Sequence, residues 1–480
     1  MSSSELQYIV ELSGQRLLPV PDVVGHTSFS KRLQLLRDKA HAWFKLNLHS
    51  FETLSLPRNL SSICIYVADG HLCWWNCDRD LAAIIPILPK PSRLQIKRNW
   101  PRGTLCSVAH STHLDVFMDP TQNLLAIVYA VTLGPLQSDQ TVHVDLRALN
   151  DDSIHPQAAG RSLVLSELPK FDTNYATLKG CGRHIALLRM QHSTRFSSGR
   201  MWQLQIWDWK NSTASNCVLN NTFLNHRHEF DVSFLGNNRL LVVTDNLKLY
   251  SIEDMSQTPQ LMACFLLPFL LPDLGCPLPM DDSDIQHSSL PQKQAPQTMY
   301  TSDPKHQLLC ITSRRIQVFI ISTRIFFDLD GITGATPIPW ILWGLSNARI
   351  FRHTGPCSVY VSGTRVVQAF PIHEPNLTHR RLALHVMDFS PLAVANRRGL
   401  GQVVKEPSTV AIGFGETVTT SLPYVDVELD RKFGSNVLDL EGIWADKDRI
   451  YLLNANWEGA SGADVMSDTP RSRWLEVVDV

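Results

Sequence analysis

The chain repeats one phrase. A turn of Asp, Pro, Asn or Gly leads into a doubled apolar pair that opens a short strand. It reads Asp119-Pro120 before Leu124-Leu125-Ala126-Ile127-Val128, and Gly236-Asn237-Asn238 before Leu240-Leu241-Val242-Val243. It returns as Asp303-Pro304 before Leu308-Leu309-Cys310-Ile311, and as Asp446 and Asp448 before Ile450-Tyr451-Leu452-Leu453. Short strands recurring between turn signals restrict the fold to an all-β ring or sandwich. Marks at Ile63, Leu124, Leu187, Leu240, Leu308, Val359, Val410 and Leu452 are separated by 42 to 68 residues. A four-stranded propeller blade takes ~40–50 residues, so the longer steps hold loop insertions. The eight marks need not each be a blade, since some can share one. The expected fold is an all-β, β-propeller-like ring of about seven blades, between six and eight, preceded by a short N-terminal helix.

Two details favour a ring over a sandwich. Leu204 and Ile206 interleave with Trp207 and Trp209, so this strand is apolar on both alternations. Both faces are then buried, as in a blade between two others, whereas a sandwich leaves one face polar. Tight hairpins are expected at Asp245-Asn246 and Ser362-Gly363, where Asn, Asp and Gly tolerate positive φ. Two stacked β domains are the alternative. Trp474 to Val478 is expected to form a strand that closes the ring onto an early blade and removes free edges.

The expected organisation has three parts. Residues 1–29 carry apolar positions but no complete element. Residues 30–56 hold a helix from Ser30 to Leu46 and a linker. In that helix Leu33, Leu36, Ala40 and Trp43 form one stripe, opposite Lys31, Arg32, Arg37, Asp38 and Lys39, with Ser28 or Ser30 as cap. Residues 57–480 form the propeller-like domain. A Pro-rich, acidic insertion at about 272–298 is too polar to offset its ordering entropy and reads as a disordered, protease-sensitive loop.

Composition narrows the function classes. Forty-four basic and 45 acidic side chains leave a net charge of −1, no electrostatic footprint for nucleic acid or an anionic membrane. The ten cysteines are scattered, and Cys73 and Cys77 lack the further ligands that structural zinc requires. They read as reduced core thiols, which together with a start lacking a secretory signal points to a cytoplasmic or nuclear setting. The apolar run Leu261 to Leu271 is broken by Pro268 and is too short to span a bilayer.

Candidate chemistry is sparse. His110-Ser111-Thr112-His113-Leu114-Asp115 would put His113 and Asp115 on one strand face, and His226 and His228 would share another. Neither set has nominated distant ligands, and each reads as a polar blade edge. Gly413-Phe414-Gly415 lacks the rest of a dinucleotide loop. Asp281, Asp282 and Asp284 fall in the expected loop, where no acid–base pair could be held. Of the tryptophans, Trp74, Trp75, Trp207 and Trp209 read as core, and Trp340 and Trp343 as candidates for exposure. No catalytic residue, cofactor site or metal site is nominated.

Several phrases in order give a resemblance. They are Glu5-Leu6-Gln7-Tyr8-Ile9-Val10-Glu11-Leu12, Arg32-Leu33-Gln34-Leu35-Leu36-Arg37-Asp38 with Ala42-Trp43, and Met118-Asp119-Pro120 before Leu124-Leu125. Ile206-Trp207-Asp208-Trp209-Lys210, His385-Val386-Met387-Asp388-Phe389-Ser390-Pro391 and Leu422-Pro423-Tyr424 complete the set. Taken together the chain resembles the F-box domain-containing proteins of basidiomycete fungi, which look like an F-box followed by a propeller-like region. The resemblance implies a non-enzymatic protein-interaction module, the substrate-recognition region of a Skp–cullin–F-box ubiquitin ligase. Only Met1 to Ser4 precede the first matched phrase, so the adaptor-binding F-box is expected to be missing, by divergence or a misplaced start. Leu6, Tyr8, Ile9 and Leu12 would then face the absent F-box helices and stay partly exposed. The expected partners are a protein target and, only with an F-box upstream, a Skp-type adaptor. A propeller hydrolase or lactonase with a central-channel site is the alternative reading.

Overall fold

The computed structural model describes residues 3–20, 27–46, 51–56, 64–76, 78–87, 95–105, 108, 110–132, 140–167, 171–191, 200–223, 230–268, 274–275, 300–313, 317–330, 336–352, 359–372, 381–395, 399, 401–413, 416–433, 438–446, 448–456 and 472–480. The chain forms a seven-bladed β-propeller. The blades occupy residues 64–100, 111–163, 171–223, 231–266, 274–352, 359–433 and 438–479, each an antiparallel sheet. No helix among the described residues is long and apolar enough to cross a membrane.

The repeated phrase is the turn between a blade's first and second strands. After Ser111–Asp119 the Asp119 carboxylate accepts the N–H groups of Thr121 at 2.9 Å and Gln122 at 3.3 Å. Asn123 takes a left-handed φ of 58°, and Leu124–Thr132 begins. Asp303 accepts the N–H of Lys305 in the same way in blade 5, and Asp446 that of Asp448 in blade 7.

The doubled pair has a packing reason. Side chains alternate along a strand, so adjacent apolar residues enter opposite faces of the blade. Leu125 lies in the core between blades 1 and 2, Leu124 in that between 2 and 3. Leu240 and Leu241 divide between the 3–4 and 4–5 cores, and Leu309 and Leu308 between 4–5 and 5–6. Leu452 and Leu453 divide between 6–7 and 7–1, which completes the circle.

The mark at Val410 is not a blade. It lies in a hairpin, Ser408–Gly413 with Glu416–Thr420, inserted before the strand Tyr424–Phe433 of blade 6. The hairpin packs beside the outer strand of blade 5, Ala348–Arg352, where the Ile350 N–H donates to Thr420 Oγ1 at 3.3 Å. Buried Arg349 donates to the carbonyl of Glu406 at 3.0 Å. Eight marks and seven blades are thereby reconciled.

Several expectations change. Residues 1–29 contain a complete helix, α1 (Ser3–Gln15), followed by β1 (Leu17–Pro19), before the expected helix α2 (Phe29–Ala42). The presumed linker contains β2 (Glu52–Ser55), which pairs with Ser472–Asp479 as the outermost strand of blade 7. The C-terminal strand does close the ring, but onto this N-terminal strand rather than onto an early blade. The presumed insertion also gives up Leu274–Gly275, the first strand of blade 5, paired with Ser313 and Thr312. Residues 276–299, with Asp281, Asp282 and Asp284, lie outside the described residues.

Helix also appears away from the N-terminus, as α3 (Trp340–Asn347) and α4 (Pro391–Val394). Trp343 is buried in the 4–5 core rather than exposed, and Trp340 packs edge-on to it. Burial draws the indoles in because α3 lies over that core. Its solvent-facing side carries Ile341 and Leu342.

The innermost strands are also stitched by polar side chains. Tyr66 of blade 1 donates its hydroxyl to the Met118 carbonyl at 3.1 Å and accepts the Met118 N–H at 2.7 Å. Asp115 of blade 2 accepts the N–H of Leu178 in blade 3 at 2.7 Å. Lys179 of blade 3 donates to the Val232 carbonyl of blade 4 at 3.0 Å and is hydrogen-bonded to Asp231. Four successive blades are joined in this way.

Candidate interaction surface

The first 43 residues place two helices over the face that carries the repeated turns. α1 has two stripes. Tyr8 and Leu12 point inward and pack on Leu33 and Leu36 of α2, with Leu17 and Tyr300 around them. Glu11 and Gln15 share that inner side. Glu11 accepts hydrogen bonds from Gln15 and from Arg37 of α2, each at 3.3 Å. The opposite stripe is apolar: Leu6, Ile9 and Val10, with exposures of 52%, 45% and 58%, lie one turn apart. A surface helix ordinarily keeps its aliphatic stripe inside and its polar residues out. α1 buries a carboxylate and an amide while offering three aliphatic side chains to solvent.

Of the four residues assigned to the F-box-facing surface, the structure separates two pairs. Leu6 and Ile9 are exposed; Tyr8 and Leu12 are each 2% exposed because α2 covers them. Val10 joins the exposed pair and was not singled out in the sequence. The spacing 6–9–10 against 8–12–15 is the signal that distinguishes the stripes, once α1 is known to be helical.

The pair is fixed to the ring at several points. Trp43 follows α2 and is buried in the core between blades 6 and 7 with Tyr360, Val367, Leu384 and Leu452. The Arg365 guanidinium lies over its ring at 5.0 Å and pairs with Asp388 at 3.2 Å. Lys39 reaches Asp448, in a turn of blade 7, at 2.6 Å. β1 pairs with Tyr300–Ser302, and the Arg16 carbonyl accepts the Asp303 N–H at 3.1 Å. Gly14 lets α1 approach Leu392 of α4, to which an added Cβ would stand at 3.1 Å.

The residues with candidate chemistry are dispersed. A bulge between His113 and Asp115 breaks the alternation that would have put them on one face. His113 turns to blade 1, its Nδ1 lying 2.5 Å from Asp80, while Asp115 turns to blade 3. Burial lowers the His113 pKa against the pull of Asp80. His110 sits in the preceding turn with φ of 59°. Gly413 ends a hairpin strand; Phe414, Gly415, His226, His228 and Cys77 lie outside the described residues. Cys73 is buried in the core between blades 1 and 2, which raises its pKa. Trp74, Trp75, Trp207 and Trp209 are buried as expected. Among the described residues no group of three or more His, Cys, Asp or Glu is arranged to hold a metal.

No protein family matches the chain, and no curated protein matches it. Similar solved structures include Saccharomyces cerevisiae Sqt1, 10% identical over 90% of this chain and 99% of that chain, with a TM-score of 0.36. U3-55K is 9% identical over 89% and 98%, with a TM-score of 0.32. A puromycin hydrolase is 12% identical over 86% of this chain and 52% of that chain, also at 0.32. These identities and scores are too low for any function to be carried across.

Proposed function

We propose that this chain acts by binding protein: a propeller receptor that holds a target on its ring and meets an F-box module along the outer stripe of α1. The supporting observation is the concentration of exposed aliphatic and aromatic surface on the helical pair. Of the thirteen large hydrophobic residues most exposed among the described residues, five lie on the helical pair: Leu6, Ile9 and Val10 on α1, and Phe29 and Leu35 on α2. An exposed aliphatic stripe on a helix fixed to a rigid scaffold marks an interaction site. The resemblance to F-box proteins supplies the partner: the matched phrase from Glu5 to Leu12 is α1 itself, directly after the place the F-box holds in that family. The chain's near-zero net charge suits target recognition by local contacts.

Calorimetric titration with a purified Skp-type adaptor tests this reading. Residues 1–480 are expected not to bind, and a version with an F-box joined ahead of Ser3 is expected to bind. In that version Leu6→Ser with Ile9→Ser and Val10→Ser should lower the melting temperature of the F-box portion and leave the ring unchanged. Tight binding by residues 1–480 alone would overturn the proposal.

A further inference from the structure

Each blade ends in an outer strand with one edge toward solvent, and most of these edges are short, covered or charged. Blade 1 ends in Arg98–Trp100, blade 2 in Ser162–Leu163, and blade 7 in β2, which opens on Glu52. Blade 4 ends in Gln260–Leu266, where Ile338 occupies part of the edge. Its N–H donates to the Cys264 carbonyl at 2.8 Å, and its carbonyl accepts the Leu266 N–H at 2.9 Å. On the outer strand of blade 5 the Ala348 carbonyl accepts the Leu422 N–H at 3.2 Å, and the Ile350 N–H goes to Thr420. In blade 6, Gln402–Val404 covers Tyr424 to Asp426; beyond it the register shifts and the sequence carries Glu428, Asp430, Arg431 and Lys432. Short, covered, irregular or charged edges resist pairing with another chain.

Blade 3 has none of these protections. Its outer strand Val218–Phe223 is six residues long, with no charge, no proline and no shift of register against Arg200–Asp208. Opposed residues in an antiparallel ladder alternate between pairs that exchange hydrogen bonds and pairs that do not. The Ile206 N–H donates to the Cys217 carbonyl at 3.0 Å, so 206 and 217 are a bonded pair. By alternation Leu219 and Asn221 bond inward, while Val218, Asn220 and Thr222 turn their backbone groups outward. The Val218 N–H closes on the Asn216 carbonyl at 2.9 Å. What remains is a row made by the Val218 carbonyl and by the N–H and carbonyl groups of Asn220 and Thr222. Among the described residues no strand pairs with this row. Val164, 58% exposed, flanks it on one side: its carbonyl accepts Gln205 Nε2 at 3.2 Å, and Gln205 lies opposite Val218.

We propose that the outer edge of blade 3 captures an extended, uncharged segment of the target protein as an added strand. Main-chain hydrogen bonds to the open row supply the affinity, and side chains on alternate residues supply the choice of segment. The segment must keep its pairing N–H groups, which bars proline at those positions, and Val164 favours an apolar side chain on its side. This inference rests on the reading of the ring as a protein receptor and is independent of the F-box.

Peptides selected from a random display library against the full chain, then resynthesised, are the probe. Asn220→Pro removes an outward N–H and leaves the ladder to Arg200–Asp208 intact, so it should weaken binding about tenfold. N-methylation of one set of alternate peptide residues should abolish binding, and of the other set should leave it. Site-resolved hydrogen exchange should slow at Asn220 and Thr222 when peptide is bound. If Asn220→Pro does not fold, the N-methylated peptides carry the same test on the wild-type chain. Peptides that bind Asn220→Pro as well as wild type, or tolerate N-methylation at both sets, would overturn strand capture and leave the receptor reading standing. A library that yields no binder would overturn both. A wild-type dimer made monomeric by Asn220→Pro would assign the edge to a second copy of this chain and overturn the proposal.

Discussion

His71 and His184 are held neutral by different means. His71 Nδ1 lies 3.0 Å from the Asp69 carbonyl, and Nε2 accepts the N–H of Ile96 at 3.1 Å. That pair of bonds requires the neutral ring with its proton on Nδ1. His184 is 1% exposed and stacks on Phe234, and no hydrogen-bond partner reaches its ring nitrogens among the described residues. Burial lowers both to about 4, with Arg183 adding to the effect at His184. The unfolded chain takes up these protons near pH 6.5, while the folded chain refuses them until about 4. Stability from both groups is thus complete above 6.5 and is lost as pH falls toward 4, on the order of 3 kcal/mol for each. Asp115 of blade 2, whose carboxyl burial pushes up to about 7, works in the opposite sense: its contribution is lost as pH rises through 7. Urea denaturation at pH 7.5 and pH 4.5 should show a smaller acid loss for His184→Phe than for the wild type. An identical loss would remove His184 from the explanation.

At the scale of elements, the helical pair raises the question of which contact holds it. Lys39 and Asp448 form a close ion pair, but their side chains are 26% and 51% exposed. Exposed pairs contribute about 0–1 kcal/mol. Trp43 is 1% exposed in a core made by two blades, and truncating such a side chain costs about 3–5 kcal/mol. Burial should dominate. Trp43→Ala is expected to loosen α1 and α2 while the ring persists, read as faster hydrogen exchange over residues 3–46 with the strands Leu124–Thr132 and Arg449–Asn456 still protected. Lys39→Ala should exchange like the wild type. If Lys39→Ala loosened the pair as much as Trp43→Ala, the ion pair would be the anchor.

At the scale of the whole molecule, the first 56 residues do two jobs that truncation can separate. β2 covers the edge of Ser472–Asp479, in register from Glu52 opposite Val477 to Ser55 opposite Trp474. Removing residues 1–56 should leave blade 7 with three strands and an open edge bearing buried Leu475, Val477 and Val478. Open apolar edges pair with other chains. That truncation should self-associate in light scattering coupled to gel filtration, whereas removing only residues 1–26 should leave a monomeric ring. A monomeric 57–480 fragment would show that β2 is dispensable for closure.

The ring was legible because its rule is local. A blade buried on both faces needs adjacent apolar residues after each turn, and Leu124-Leu125, Leu240-Leu241 and Leu308-Leu309 meet that need in the sequence itself. Aspartates that cap those turns act within two or three residues, so their role was readable as well. The same pattern could not tell a blade from a hairpin laid on one, because Val410 packs on a neighbouring blade's core. α1 was hidden because half its apolar residues face solvent and its inner face carries Glu11 and Gln15, which weakens the expected stripe. β2 was hidden because a four-residue outer strand is mostly exposed and gains its identity from a partner more than 400 residues away. What the sequence determined by itself was the repeating unit, fixed by side-chain alternation and turn chemistry. Tertiary structure alone decided how many units close, which strand completes the last one, and which stripe of α1 is left open, since each depends on contacts between segments distant in the chain.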